Sequence, residues 1–270
     1  MHTMKANFHT HTARCHHAQG TDEDYVRAAI AGGFDALGFS DHAAWPYRSD
    51  FVSGIRMTAA EVPDYMASVR ALRVRYAGRL PIYLGMEAEY FPRYEDHLRR
   101  LLDAGMQYYI LGQHFCDSDE ENPYVGRECM TDDGVRRYAD SVARALRTGL
   151  YGCVAHPDLF MRHRTEEEYN DACRQATETI GQAAREADVP LEYNLLGLGE
   201  ARNGSGRGYP CHLFWEQLRG RGNRVILGVD AHRPEALTDT SLWEEGRRQV
   251  LAMGYELQET IQMKEDTTDE

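Results

Sequence analysis

Histidines and carboxylates recur along this chain in short signatures. FHTHT carries His9 and His11, SDH carries His42, and GMEAEY carries Glu87 and Glu89. LGQHF then brings His114, AHPD brings His156, and GVDAH brings Asp230 and His232. Neutral imidazoles and carboxylates hold Zn, Fe, Mn or Co, and a carboxylate can bridge adjacent ions. His9 and His11 are separated by one residue, so on a strand both side chains point to one side, and Asp230 and His232 repeat that spacing. A lone histidine at a strand end is more often a cap or a hydrogen-bonded structural residue. Coordinated placements at nearly every strand end favour a shared metal site. His2, His97, His163 and His212 have no such context and read as surface or packing residues.

The elements that must position these groups are short apolar runs alternating with longer amphipathic stretches. Strands are expected at Ala6–His9, Ala36–Ser40, Ile82–Glu87, Tyr108–Gln113, Gly152–Ala155, Leu191–Asn194 and Val225–Val229. Helices are expected over Asp22–Ala31, with Thr21 as N-cap, and over Thr58–Tyr76, Thr131–Leu146, Thr165–Ala187 and Pro234–Met253. About seven βα units predict a parallel barrel, with an open doubly wound sheet as the alternative. In a barrel the carboxyl ends of the strands converge on one face, so ligands scattered through the sequence can share one pocket. If the first strand closes against the last, the two one-residue-spaced pairs meet. Both Glu87 and Glu89 point inward if their strand continues.

At 270 residues, and with no Pro/Ser/Gly-rich break near the middle, the whole chain (1–270) reads as one domain. A net charge of −13 argues against binding long nucleic acids. The start MHTMKANFHT lacks the apolar run of a signal peptide, and no stretch approaches the roughly 20 apolar residues of a membrane span. Six scattered cysteines without a CxxC pair read as reduced thiols of a cytoplasmic protein, and Cys15, close to the first histidines, reads as a packed thiol. Oligomeric state is not legible.

Together these motifs resemble the polymerase-and-histidinol-phosphatase (PHP) superfamily, and within it the histidinol-phosphatase branch. The resemblance covers nearly the whole chain. Family spacing from His11 selects His17 over its neighbour His16, and the GMEAEY motif selects Glu87 over Glu89. The resemblance thus implies a trinuclear site of His9, His11, His17, His42, Glu87, His114, His156, Asp230 and His232, holding three divalent ions (Zn, Fe or Mn). It also implies a distorted (β/α)7 barrel of the PHP type. The chain departs from the branch after EYN, where NLLGLGEARNGSGRGYP replaces a short Ser/Gly/Arg run.

The implied reaction is hydrolysis of L-histidinol phosphate, a small phosphate ester, to L-histidinol and phosphate in histidine biosynthesis. The alternative is another phosphate ester, such as a nucleotide 3′,5′-bisphosphate. A non-catalytic metal-binding module is a third reading, disfavoured because no ligand is missing. Phosphate monoesters are among the slowest esters to hydrolyse, and bound metal lowers the pKa of water from ~15.7 towards ~7. The expected course is in-line attack by metal-bound hydroxide. Catalytic duties are expected of Asp230 and His232, with Asp41 and Asp158 orienting a ligand imidazole or protonating the leaving alcohol. Arginine suits phosphate through its planar fork. Only Lys5 and Lys264 are lysines, so position rather than abundance must choose the arginine. Arg162, after His156, and Arg202 or Arg207, after Asn194, are the candidates. Trp45 in AAWPYRSDF, and Phe115 and Asp117 in FCDSDEENPY, would serve a cationic leaving group through aromatic faces and carboxylate.

Overall fold

The computed structural model describes residues 4–204 and 208–264. Seven parallel strands pair in chain order: β1 (Ala6–Asn7), β2 (Ala36–His42), β3 (Ile82–Ala88), β4 (Tyr108–Leu111), β5 (Cys153–Val154), β6 (Leu191–Asn194) and β7 (Val225–Gly228). Nearly all their residues are buried, which is why they read as continuous apolar runs. The sheet curls into a nearly closed (β/α)7 barrel, so the open doubly wound alternative does not hold.

Closure runs through a bridge between Thr10 and Ala231, with His11 N–H donating to Ala231 O (3.0 Å) and Ala231 N–H to His9 O (3.1 Å). The first strand stops at Asn7 rather than His9 because the Asn7 side chain takes over the ladder's bonds. Its Oδ1 accepts from Val229 N–H (2.8 Å), while its Nδ2 donates to His9 O (3.0 Å) and Thr10 Oγ1 (2.8 Å).

Ten helices among the described residues surround the strands: α1 (Asp22–Ala31), α2 (Val62–Arg75), α3 (Glu95–Asp103), α4 (Val125–Glu128), α5 (Asp132–Leu146), α6 (Asp171–Glu186), α7 (Leu195–Arg202), α8 (His212–Leu218), α9 (Glu235–Thr238) and α10 (Ser241–Ala252). Helix α1 has its expected bounds, because Thr21 and Asp24 close a reciprocal capping box. The expected Thr165 helix starts later, at Asp171, where Asn170 Oδ1 accepts from the N–H groups of Ala172 and Cys173. Residues Glu166–Glu168 form a separate 3-10 turn. The expected Pro234–Met253 helix is two helices, with Asp239 Oδ1 accepting from Ser241 N–H (3.0 Å) between them. No helix among the described residues is long and apolar enough to cross a membrane.

Candidate metal centre

The carboxyl ends of β1, β2, β3 and β7 and the loops after β4 and β5 bring the predicted ligands together around the Glu87 carboxylate. Glu87 Oε1 lies 2.8 Å from His156 Nε2 and 3.4 Å from His114 Nε2. Its other oxygen, Oε2, lies 3.1 Å from His42 Nδ1, 3.4 Å from His11 Nε2 and 3.5 Å from His9 Nε2. Asp230 Oδ1 is 3.2 Å from His11 Nε2 and 3.4 Å from His9 Nε2. Towards the mouth, His17 Nε2 and His232 Nε2 approach to 3.0 Å, and His42 completes a group with them. His16, by contrast, enters none of these groups.

These residues fit a metal centre on three observations. Two donors at 2.0–2.1 Å from a tetrahedral ion stand about 3.3–3.4 Å apart, close to most of these separations. Glu87 Oε2, His42 Nδ1, His11 Nδ1 and His156 Nδ1 are buried without a hydrogen-bond partner among the described residues. Such groups are costly unless something else satisfies them. Finally, His156 (φ 30°) and Asp230 (φ 53°) hold left-handed backbone that non-glycine residues rarely adopt, a strain that collects at functional sites.

Electrostatics agree. Burial opposes ionisation of Glu87, yet His114, His9 and His42 outweigh it and hold the carboxyl well below its ordinary pKa. Asp230 is likewise held down against burial by His9, His11 and His232. Burial and the nearby His11 push His42 well below the usual imidazole value, and the same two causes bring His232 to about 4. Burial opposes charge on His9, His11 and His156 too, but the neighbouring carboxylates outweigh it and raise all three, so a bound cation would take the place of their protons.

Glycine makes room for this packing at position 112, where a methyl group would overlap the Glu87 carboxylate. The residues after Gly112 lead directly to His114, so one signature both clears space and supplies a ligand type.

The family model for the PHP domain matches residues 7–194. The histidinol-phosphatase of Bacillus subtilis is 30% identical over 254 residues, spanning 85% of this chain and 94% of that protein. A Deinococcus radiodurans protein named "Probable histidinol-phosphatase" is 30% identical over 232 residues, spanning 84% and 85%. The chain belongs to the PHP domain family. In fold it is similar to the histidinol phosphate phosphatase of Lactococcus lactis, solved with Zn, L-histidinol and phosphate. The TM-score is 0.71 at 17% identity, covering 97% of this chain and 99% of that one.

In this PHP domain a cavity of about 870 Å³ opens above the metal-binding groups. Arg162 and Phe115 line it. The Arg162 guanidinium sits 5.3 Å from the Tyr124 ring centre and 5.8 Å from that of Tyr209, whose hydroxyl accepts from its Nη1 at 3.1 Å. The two tyrosines thus hold the fork at the cavity wall.

Other expected contacts are corrected by the structure. Trp45 is 2% exposed; it packs on Phe91 and Tyr94 and donates from Nε1 to Glu89 (3.2 Å), away from the cavity. Asp117 pairs with Arg137 (3.0 Å) in a separate surface depression, so it offers no carboxylate to the site. Arg202, exposed at the end of α7, pairs with Glu245 (3.2 Å). Arg207 and His2 lie outside the described residues. Asp158 is also placed apart from the cavity. Its Oδ2 accepts from Cys211 N–H (2.6 Å) and Trp215 Nε1–H (3.1 Å), tying the turn after His156 to α8. Asp41 is fully buried behind His11, its Oδ1 3.5 Å from His11 Nδ1, and Thr12 Oγ1 donates to its Oδ2. Of its two expected roles, only orientation of an imidazole matches this placement.

Sequence reasoning missed Glu192, Tyr209 and Glu200, while Tyr124 lay in the FCDSDEENPY loop it expected to meet a cationic group. Glu192 Oε2 accepts from His9 Nδ1 at 2.7 Å, and Asn194 Nδ2 bridges Glu192 Oε1 (2.7 Å) and Asp230 Oδ2 (3.1 Å). A charged residue inside a buried strand, LEYN, was the available signal. Tyr124, Tyr209 and Glu200 line the cavity from loops and from α7, where no periodicity points inward.

Proposed function

We propose that this chain is a metal-dependent phosphatase that hydrolyses L-histidinol phosphate to L-histidinol and phosphate. The observation that carries the reading is the Glu87 carboxylate, shared between two imidazole sets beneath a cavity whose wall carries Arg162. The family resemblance supports three ions, which we assign to these residues. One falls to His9, His11, Glu87 and Asp230, a second to Glu87, His114 and His156, and a third to His17, His42 and His232. Zn is favoured by the largely imidazole donor set, with Fe and Mn as the alternatives.

When bound, the ions supply an activated water and neutralise charge on the phosphoryl oxygens. The protein's residues do the rest. Glu192 hydrogen-bonds His9 Nδ1 and fixes that ring's orientation, while Asp41 stands behind His11. Arg162, held between Tyr124 and Tyr209, offers two parallel N–H donors to the phosphoryl group. Phe115 and Tyr124 present aromatic faces to the leaving group. Glu200 places a carboxylate on the same cavity, suited to an ammonium. With Asp117 and Trp45 turned away, recognition of the cationic half moves to these residues.

The cavity is roomy for a small amino alcohol, which keeps a nucleotide 3′,5′-bisphosphate as the second reading. Phosphate release from L-histidinol phosphate, p-nitrophenyl phosphate and a nucleotide bisphosphate panel separates the two. The expected result is a kcat/KM for histidinol phosphate orders of magnitude above the others. Equal or better turnover of a bisphosphate would move the chain to another substrate.

A further inference from the structure

Glu89 was a rival to Glu87 in the sequence, and the structure gives it different surroundings. Its Oε1 lies 3.2 Å from His114 Nδ1, on the side of the ring away from Glu87. The same carboxylate accepts from Arg56 Nη1 (2.9 Å), Arg56 Nη2 (2.8 Å) and Trp45 Nε1 (3.2 Å). Arg56 is 1% exposed, and it also donates to Ala43 O (2.9 Å) and, from Nε, to Asp119 Oδ2 (3.0 Å). Asp119 in turn accepts from Tyr47 Oη (2.6 Å) and Ser53 Oγ (2.8 Å). The loop after β2 and the loop after β4 are therefore knotted together around one buried guanidinium.

A fully buried arginine is costly unless its donors are met, and here two carboxylates and a carbonyl meet them. Both Glu89 oxygens accept from Arg56, so in the contact with His114 the carboxylate is the acceptor, Nδ1 carries the hydrogen, and Nε2 is the nitrogen aimed at Glu87. Hydrogen bonding of the remote ring nitrogen sets which nitrogen a metal-binding histidine presents.

The geometry points to Glu89, held by Arg56, as the positioning residue that fixes the His114 tautomer and so sets affinity for the ion shared by His114 and Glu87. This rests on the proposed role of His114 as a ligand. It also accounts for the acidic and aromatic loops: Trp45, Tyr47 and Asp119 build the support of a metal ligand.

The test is zinc binding to stripped protein by equilibrium dialysis with elemental analysis, on the wild type, E89Q, E89D, W45F and H114A, with circular dichroism as a check of fold. H114A is expected to lose one ion. E89Q keeps one acceptor oxygen and turns an NH2 donor on Arg56 and Trp45 or on Arg56 and His114, and is expected to bind that ion about 10–100-fold more weakly, the other ions being unchanged. E89D should recover part of the loss. W45F removes one donor to Glu89 but leaves the Arg56 and His114 contacts, and should weaken zinc binding less than E89Q does. Raised zinc should restore phosphatase activity in E89Q, which a packing defect would not allow. Wild-type zinc affinity in E89Q, alongside an ion lost from H114A, would overturn the positioning role. If H114A keeps all its zinc, the ligand assignment fails and the positioning role falls with it. If E89Q does not fold, E89D is read in its place, and wild-type affinity there overturns the proposal.

Discussion

At the scale of single residues, Arg162 is the side chain whose role is most separable from metal binding. It is held between Tyr124 and Tyr209. Hydrogen bonds to charged groups are worth about 1.5–3 kcal/mol, so Arg162→Ala should lower kcat/KM by roughly 10–100-fold, mostly through KM. Metal content should stay at the wild-type level. Arg162→Lys keeps the charge but loses the fork and should recover only part of the activity. Steady-state kinetics with elemental analysis checks both, and loss of metal from either variant would contradict the assignment. Most ligand types were legible because they sit at or just past the carboxyl end of an apolar run, and His17 came from the family spacing. Glu192 was not, because it lies within a strand, and a strand interior does not say which face meets a site. Arg162 was legible by position alone. What holds it, Tyr124 and Tyr209, comes from sequence about 40 residues away on either side.

At the scale of elements, each strand was recoverable because parallel strands buried on both faces leave apolar runs bounded by polar sequence. Their lengths were less so. β1 is two residues long because a side chain, Asn7, replaces backbone bonding. Helices α3, α7 and α8 were missed. α7 begins only because Asn194, the last residue of β6, turns its Oδ1 to Gly197 N–H (2.8 Å) as an N-cap. The apolar run LLGLG carries no helical period to announce it. α3 carries a test of its own. His97 on this helix accepts burial against the loop after β2, where its Nε2 meets Ala44 O at 2.9 Å. Burial lowers its pKa below 6.5, against the carbonyl contact that would raise it. The native state therefore binds a proton less readily than the unfolded chain. The resulting stability is held above pH 6.5 and lost as pH falls through the folded value. His97→Gln can still donate to Ala44 O and does not titrate. Its stability in urea should therefore fall less than the wild type's between pH 7 and pH 5. Parallel losses in both proteins would contradict this.

At the scale of the whole molecule, the barrel gathers His9, at the start of the chain, and His232, near its end, onto one face. It can do so only because the first and last strands meet across the bridge between Thr10 and Ala231. The same convergence leaves several unpartnered polar atoms in a buried site, so the ions that satisfy them bear on folding as well as catalysis. The most direct test is titration of stripped protein with zinc, measuring bound metal and phosphate release from L-histidinol phosphate on the same samples. The account predicts no turnover without metal, a rise in melting temperature as metal binds, and full turnover only when the groups around Glu87 are filled. Full turnover by protein shown to be free of metal would contradict it.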